Sequence, residues 1–554
     1  MHSFQALRLR ASVALILAAC ASAPTAPVPK KTARYQDLVA LFADWRAFQK
    51  PPIADGVPDY SPTAMAAQHR GLERYRVRLA EIDASGWPLT QQVDYHLLRA
   101  EMNGFEFDHR VLEPWASNPA FYVTVVVDES DQPAREGPYA LGTVGLWEWS
   151  FPLAPSRADE LAARLAPIPG LLRQAQENLT GNGRDLWTSG IRALEQQGRV
   201  LADLGGKSEG HPALAAAVGR AEKATADFVA WLKAEAPLKK GPSGIGVRNY
   251  DWYLVNVQLV PYTWADELAL MQRELARAKA SIALEEHKNR GLPPQQPVAS
   301  AEEHDRRFGA AVTEYMSFLA RNQVLTVRPY MDGALRARTG EYTARRPLEF
   351  FNEVDYRDPV LMRTHGYHWF DLARLKHDPH PSPLRRGALL YNIFDTRTEG
   401  LATAMEELMM QVGLCDSRPR SRELVYVLLA QRAARAIGEL RMHANQMSLE
   451  EAAKFASDQT PRGWLRLPGE TVWFEQHLYL QQPGYGTSYL IGKFEIDRLL
   501  AARARALGDG FTLRRFMDEL DAVGLIPISL VGWELTGDDS RTPGVGWRLR
   551  AGAN

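Results

Sequence analysis

Most of the chain repeats its apolar residues every three or four positions, which is the spacing that places them on one face of an α-helix. In the stretch 36–50, for example, Leu38, Leu41, Phe42 and Trp45 follow this spacing. The same pattern occurs at 62–83, 89–107, 157–180, 210–234, 263–289, 299–321, 397–413, 421–445, 448–457 and 487–508. The pattern predicts a mainly α protein with a large multi-helix globular body.

Two short apolar runs, 121–127 and 346–351, favour β-strands instead, so we expect a small β element. Residues typical of turns cluster at 236–244. This break predicts a boundary near position 240 between an N-terminal helical half, 33–240, and a C-terminal half, 241–554. A long loop inside a single domain would give the same pattern, and both interpretations remain open.

Composition narrows the class of protein. The chain has 554 residues, of which 45% are hydrophobic and 24% charged, as in ordinary globular proteins. Disordered, collagen-like and membrane-spanning classes do not fit these values. Lys and Arg number 65 against 66 Asp and Glu, so the net charge is -1. Such a balanced chain offers no strong positive field to a nucleic-acid backbone, and we expect no nucleic-acid partner.

The N-terminus has the pattern of an export signal. The apolar run 11–19 follows two arginines and is much shorter than the roughly 20 residues of a membrane-spanning helix. Its end, Leu17-Ala-Ala-Cys20, resembles a bacterial lipobox, although an ordinary signal peptide with a chance cysteine would look similar. We predict a signal peptide at 1–19, lipid on Cys20, and a Pro/Ala-rich tether over 20–32.

The two residues that directly follow the lipobox indicate where the protein is anchored. Ala21-Ser22 lacks the aspartate that retains lipoproteins on the inner membrane of Gram-negative bacteria. The resemblance to that sorting rule implies anchoring at the periplasmic face of the outer membrane. Once Cys20 is lipidated, Cys415 is the one remaining thiol of the chain, so an internal disulfide is excluded.

Histidine is sparse, with 13 in the whole chain, yet four occur close together: His365, His368, His377 and His380. A spacing of three places His365 and His368 on one face of a helix, close enough to share a metal ion. Gly366 between them lowers the helix propensity. Two hydrogen-bonded structural histidines are the alternative interpretation.

A second candidate feature is the helix that follows Asp395. Its face opposite the apolar stripe carries Glu399 and Glu406, and no Lys or Arg occurs between Thr398 and Ser417. Such glutamates usually face solvent. The other residues of this face are Thr, Ala and Met, which favour a buried wall, where a carboxylate needs a cation, a proton or a metal.

Two arginines, Arg385 and Arg386, lie between these features. Either could form a salt bridge with Glu399 or Glu406, or bind the carboxylate of a peptide-like ligand. The sequence leaves both possibilities open. It has no Gly-x-Ser-x-Gly, Gly-x-Gly-x-x-Gly or P-loop motif, so serine-hydrolase, dinucleotide and nucleotide chemistry lack support.

The stretch Arg397-Thr-Glu-Gly-Leu-Ala-Thr-Ala-Met-Glu-Glu407 resembles the Thr-Glu-Gly-Trp-Ala…Glu-Glu helix of the bacterial domain-of-unknown-function family 885 (DUF885). The resemblance spans about 380–535. Further segments similar to that family are the Arg-rich helix 435–443, the capped helix that starts Ser448-Leu-Glu-Glu-Ala452, the turn Pro483-Gly-Tyr-Gly-Thr-Ser-Tyr-Leu-Ile-Gly492, Phe511-Thr-Leu-Arg-Arg-Phe516, and Gly524-Leu-Ile-Pro527.

The resemblance implies a mainly helical, exported zinc metallopeptidase. It also implies zinc held by two histidines and the helix glutamate, here Glu399, with a base glutamate directly after the first histidine. The usual His-Glu-x-x-Pro-Gly-His motif is missing: His365 and His368 are the nearest equivalents, and Gly366 stands where the base would be. The turn has Tyr485 in place of the usual Gln. The chain is either a subgroup with a rearranged site or a protein that keeps the fold without the reaction.

The resulting hypothesis is an envelope-anchored, metal-dependent peptidase. His365, His368 and Glu399 would hold Zn²⁺ and leave one position open for water, whose pKa would fall to about 7.

Four further residues have candidate catalytic roles. Glu406 or Asp371 would accept the proton of that water, and Tyr489 or His443 would stabilise the oxyanion.

Two alternatives accompany this hypothesis. One is a lipid-tethered scaffold that binds peptides or cell-wall fragments without turnover. The other is a hydrolase that uses Glu399 and Glu406 as a carboxylate pair. Seven residues span about 10.5 Å along a helix, beyond the roughly 6.5–9.5 Å of inverting glycosidases.

Overall fold

Helices make up nearly all of the regular structure in the computed structural model, which describes residues 33–546. The signal peptide, the lipobox with Cys20 and the tether therefore lie outside the described residues. The helices up to the predicted boundary are α1 Tyr35–Phe48, α2 Pro62–Ala80, α3 Leu89–Phe107, α4 Pro114–Ser117, α5 Pro155–Leu165, α6 Ile168–Asn178, α7 Arg184–Gly206 and α8 Pro212–Glu235.

The remaining helices follow that boundary and include those that carry the candidate residues. They are α9 Val247–Tyr253, α10 Trp264–Lys288, α11 Ala301–Arg321, α12 Pro329–Arg336, α13 Phe350–Asp355, α14 Pro359–His365, α15 Tyr367–His377, α16 Asp395–Gln411, α17 Ser421–His443, α18 Leu449–Gln459, α19 Glu470–Gln481, α20 Tyr485–Leu507, α21 Leu513–Val523 and α22 Ile528–Thr536.

Within residues 33–546, the β structure consists of four two-residue strands and an isolated bridge between Gly183 and Gly241. In the antiparallel pair, β1 (Ile53–Ala54) meets β2 (Val57–Pro58), with Ile53 opposite Pro58. In the parallel pair, β3 (Val125–Val126) meets β4 (Val144–Gly145). The prediction of a mainly α body with a small β element is therefore confirmed.

The two strand predictions fared differently in detail. The run 121–127 contains β3, but it opens with the end of a 3₁₀ turn, Pro119–Tyr122. The strand at 346–351 is wrong. Pro347 has no N–H to donate to a neighbouring strand, and Phe350 already begins α13.

At the centre of the molecule, α16 is enclosed on all sides. Every residue from Asp395 to Glu407 is buried, including both glutamates that the sequence placed on a dry wall. This helix crosses α20 at very short range: a Cβ atom on Gly400 would lie 2.4 Å from Gly492 Cα. The glycines let the two backbones touch and fix how the helices sit against each other.

Two hydrophobic clusters describe how the predicted halves pack. One cluster joins Leu97 and Phe107 of α3 to Phe370 of α15 and Leu401 of α16. Another is formed within 60–232. The predicted division near position 240 stays a prediction. Within the part of the chain described, no helix combines the length and apolar character needed to cross a membrane.

Candidate metal centre

The two histidines predicted to bind metal lie on either side of a break between helices. His365 ends α14 and His368 lies in the first turn of α15, with Gly366 at the joint. The spacing predicted one continuous helix. At the joint, a Cβ atom on residue 366 would crowd Leu335 Cδ2 at 2.7 Å. The break nevertheless brings the imidazole rings together, with centroids 5.0 Å apart and planes at 74°.

Glu399 of α16 meets His368 in the interior. Glu399 Oε2 lies 3.2 Å from His368 Nε2, and the two residues are 1% and 2% exposed. The contact lacks the alignment of a hydrogen bond, so both atoms are without a hydrogen-bond partner among the described residues. Two atoms that each lie about 2.0–2.1 Å from one tetrahedral zinc ion are about 3.4 Å apart. The observed pair is close to that spacing.

A carboxylate that sequence reasoning missed lies beside the two histidines. The segment 127–143 between β3 and β4, which we call the site loop, passes over the histidines and carries Asp131. Ligand atoms of Asp131, His365 and His368 all lie within 4.8 Å of one another. Asp131 and His365 are partly exposed whereas His368 is buried, so the group can be reached from solvent.

Gln132 of the same loop holds two of the candidate ligands in place. Its amide nitrogen donates to Glu399 Oε1 at 2.8 Å and lies 3.2 Å from His368 Nδ1. Its oxygen accepts a hydrogen bond of 2.7 Å from the Thr398 hydroxyl. Outer contacts of this kind orient the ligands of metal sites.

A tyrosine bridges two carboxylates on the other side of Glu399. The Tyr485 hydroxyl donates to Glu399 Oε1 at 2.5 Å and lies 3.3 Å from Glu136 Oε1. Ser130 donates to the other oxygen of Glu136 at 2.5 Å. Burial, reinforced by the charge of Asp131, raises the pKa of Glu136 to about 7. Tyr485, which replaces the glutamine usual in the similar family, is therefore part of the centre.

Charged neighbours govern the titration of His368. Burial alone lowers the pKa of this imidazole, but Asp131 and Glu399 outweigh burial and raise the pKa above its ordinary value. Burial likewise raises the pKa of Glu399, but His368 and His365 outweigh it and lower that pKa. The neighbours thus favour positive charge between the ring and the carboxylate, and a divalent cation there would meet the same demand.

Glu406 is held by an arginine. Arg432 donates to both of its carboxylate oxygens at 2.7 Å, which outweighs burial and lowers the pKa of Glu406. His365 Nδ1 lies 3.1 Å from Glu406 Oε1 and 3.2 Å from the same guanidinium. Glu406 therefore orients His365, and it is not free to accept the proton of a water molecule.

Asp371 belongs to a neighbouring group of four residues, which we call the ion cluster: Asp371, Arg374, Arg397 and Asp521. Asp371 contacts Arg374 at 2.7 Å and Arg397 at 3.0 Å, and Asp521 contacts the same two arginines at 2.6 and 3.1 Å. Tyr367 also donates to Asp521. Asp371 therefore forms salt bridges with both arginines of the ion cluster.

Tyr489 and His443 occupy different surroundings. The Tyr489 ring lies 5.7 Å from that of Tyr485, with planes at 88°, and the guanidinium groups of Arg432 and Arg435 lie over it at 5.6 and 5.3 Å. Tyr489 therefore borders the centre. His443 Nε2 contacts the Tyr479 backbone oxygen at 3.0 Å, so this ring is held by the backbone of α19.

Arg385 is buried in a salt bridge, but with other partners than the sequence suggested. It contacts Asp94 at 2.6 Å and Glu534 at 2.8 Å. Arg386 is exposed and donates to the Pro381 backbone oxygen. Neither arginine contacts Glu399 or Glu406 in the described structure.

The other two clustered histidines make contacts of their own. The His377 ring stacks on Tyr330 at 5.5 Å. His380 Nδ1 accepts a hydrogen bond from the Ser382 backbone.

Comparison with known proteins supports the resemblance over the C-terminal part. The family model described as "Bacterial protein of unknown function (DUF885)" matches residues 367–535, which run from α15 through most of α22. This match includes Glu399 and Tyr485 but begins after His365 and leaves out the site loop. No curated protein matches the chain.

Two solved structures share the fold over almost their whole length. A candidate lipoprotein of unknown function from Shewanella oneidensis is 15% identical, with a TM-score of 0.66 over 91% of this chain and 100% of that one. A candidate lipoprotein from Colwellia psychrerythraea is 14% identical, with a TM-score of 0.61 over 91% and 99% of the two chains. At such identities the likeness shows the fold alone.

Proposed function

We propose that this chain is an envelope-anchored lipoprotein whose centre binds a divalent metal ion and hydrolyses peptide bonds. The observation that carries the proposal is the buried contact between His368 Nε2 and Glu399 Oε2, 3.2 Å apart, in which neither atom makes a hydrogen bond. Buried polar atoms need partners, and a cation between these two would bind both at once. The lipobox at Cys20, and the description of both structural neighbours as candidate lipoproteins, support the anchor.

Imidazole and carboxylate ligands suit zinc. His365, His368 and Glu399 would hold the ion, while Asp131 borders the remaining position.

The ion would polarise a peptide carbonyl and lower the pKa of bound water to about 7. The chain's own groups would set the geometry around it. Glu406 and Arg432 hold the His365 ring, and Gln132 and Tyr485 hold Glu399. Tyr489, with two guanidinium groups over its ring, would stabilise the oxyanion.

The test is a metal titration of the purified protein. We expect about one zinc ion per chain by atomic absorption after loading and dialysis, and cleavage of a peptide library that a chelator stops. His368→Ala and Glu399→Gln should lose the metal, whereas His377→Ala, a matched change on the same helix, should keep it. A wild-type protein that retains no metal would refute the proposal.

A binding scaffold is the second candidate, and one observation favours it. Both residues expected to act as the base, Glu406 and Asp371, are tied to arginines. A scaffold would bind peptides or cell-wall fragments equally well with and without chelator, and would not cleave them.

A further inference from the structure

Hydrolysis at the proposed centre needs a group that accepts a proton from the attacking water. Glu406 accepts two hydrogen bonds from Arg432, and Asp371 contacts two arginines of the ion cluster. Gly366 occupies the position where the similar family has its base. Two acidic residues near the centre remain, Asp131 and Glu136, both in the site loop. Asp131 is grouped with the two histidines as a possible ligand, which leaves Glu136 as the acceptor.

Glu136 of the site loop has the right surroundings. It accepts a hydrogen bond from the neutral hydroxyl of Ser130 and lies 3.3 Å from the Tyr485 hydroxyl, and no salt bridge holds it among the described residues. It is partly exposed, so water can reach it. Because the Tyr485 hydroxyl contacts both Glu136 and Glu399, the two carboxylates lie within two hydrogen-bond lengths of each other.

The loop that carries Glu136 is fixed where it passes the centre. The Gly137 backbone N–H donates to Gln482 Oε1 at 2.5 Å, and Gly137 has the positive φ of 75° that favours glycine. Gln482 in turn donates to Asp395 at the start of α16. The residue next to Glu136 is thus tied through Gln482 to the start of α16, the helix that carries Glu399.

We infer that Glu136 is the general base of this site, an inference that rests on the proposed function. Its carboxylate takes one proton from the water as the water oxygen bonds to the peptide carbonyl carbon. The carbon–nitrogen bond then breaks, and the same proton passes from Glu136 to the leaving nitrogen. The products are a carboxylic acid and an amine, and Glu136 is returned to its starting state.

The test compares Glu136→Gln with Glu129→Gln in the zinc-loaded protein. Glu129 belongs to the same loop but pairs with Arg338. We expect Glu136→Gln to keep its zinc and lose about 10²–10⁴ in kcat. Acetohydroxamate, which binds zinc and offers a hydroxyl proton to a nearby carboxylate, should bind at least about tenfold more weakly. Glu129→Gln should match the wild type in all three measurements.

The outcomes separate this inference from the proposed function. If the wild type binds no zinc, both the proposed function and the role of Glu136 are refuted. Zinc-loaded Glu136→Gln with unchanged acetohydroxamate affinity overturns the role of Glu136 and leaves the metal centre standing. Loss of zinc in Glu136→Gln would make this residue a ligand and also overturn the inference.

Discussion

Two charged groups lie side by side on α15 and α16, and they differ in how fully their members are paired. In the ion cluster, each of the two aspartates contacts both arginines, so charge is balanced inside the group. At the candidate centre, His368 and Glu399 come from the same two helices and lie 3.2 Å apart as a single ion pair, and neither of the two facing atoms makes a hydrogen bond. Asp371 is three residues after His368, and Arg397 is two residues before Glu399.

Under the proposed function, this difference distinguishes a structural group from a ligand-binding one. A buried group left without a hydrogen bond costs about 1–3 kcal/mol of stability. The ion cluster shows that charged side chains on these helices can pair with one another. Under the proposed function, the facing atoms of His368 and Glu399, one helical turn away, are where the ligand binds.

The largest effect should come from breaking the paired group. Arg397→Met leaves the buried Asp371 and the partly buried Asp521 with one arginine between them, which we expect to cost about 3–5 kcal/mol of unfolding free energy. Urea denaturation measures this loss. Zinc content per folded chain should not change; a variant of normal stability that has lost its zinc would reverse the assignment of the two groups.

The next effect should appear on filling the unpaired group. Zinc at a hundred times its dissociation constant should raise the unfolding free energy of the wild type by about 2.7 kcal/mol. Glu399→Gln should show no such increase, because it removes one ligand charge. Denaturation with and without zinc checks both statements, and equal stabilisation of the two proteins would place the ion elsewhere.

Tyr485→Phe removes a hydrogen bond to Glu399 without changing the shape of the side chain. We expect a loss of about 1.5 kcal/mol, at the low end for a bond to a charged group because Gln132 still donates to the same oxygen. Tyr489→Phe serves as the control for a neighbouring ring. If both variants lose the same stability, the bridge from Tyr485 has no special part.

Lowering the pH should change the contribution of buried histidines outside the centre to the unfolding free energy in the opposite direction from that of His368. Burial lowers the pKa of His443 to about 4, below the ordinary 6.5. Between these values the unfolded chain binds the proton and the folded chain does not, so stability falls as the pH drops. His443→Gln should lessen the loss between pH 7.5 and 5.5 by about 1 kcal/mol. Unfolding curves at both pH values measure the difference, and an unchanged loss would show that His443 takes no part in it.

The sequence predicted the elements whose periodicity is strong. Helix α3 spans 89–107 as expected, and Ser448 caps α18 with Glu451 as the fourth residue of its capping box. Helix α7 was missed because glycines interrupt its pattern. Gly190 is needed there for contact, since a Cβ atom would lie 2.6 Å from Pro119 Cβ.

The candidate site was only partly visible in the sequence. Clustering singled out His365 and His368, and the lack of nearby cations singled out Glu399. Asp131 and Glu136 lie in a loop without periodicity, and the contact between Gln132 and His368 joins residues 236 positions apart. No local pattern records a contact of that separation, so the fold was needed to find it.

The crossing of α16 and α20 has one more consequence. Gly400 directly follows Glu399, and a Cβ atom on Gly492 would lie 2.0 Å from the Thr396 backbone oxygen. The backbones of α16 and α20 are therefore in direct contact next to Glu399. The distance between the Glu399 and Tyr485 backbones is then set by this contact and not by side-chain rotamers. Replacing Gly400 or Gly492 by alanine would therefore push the two helices apart and change the distances within the candidate centre.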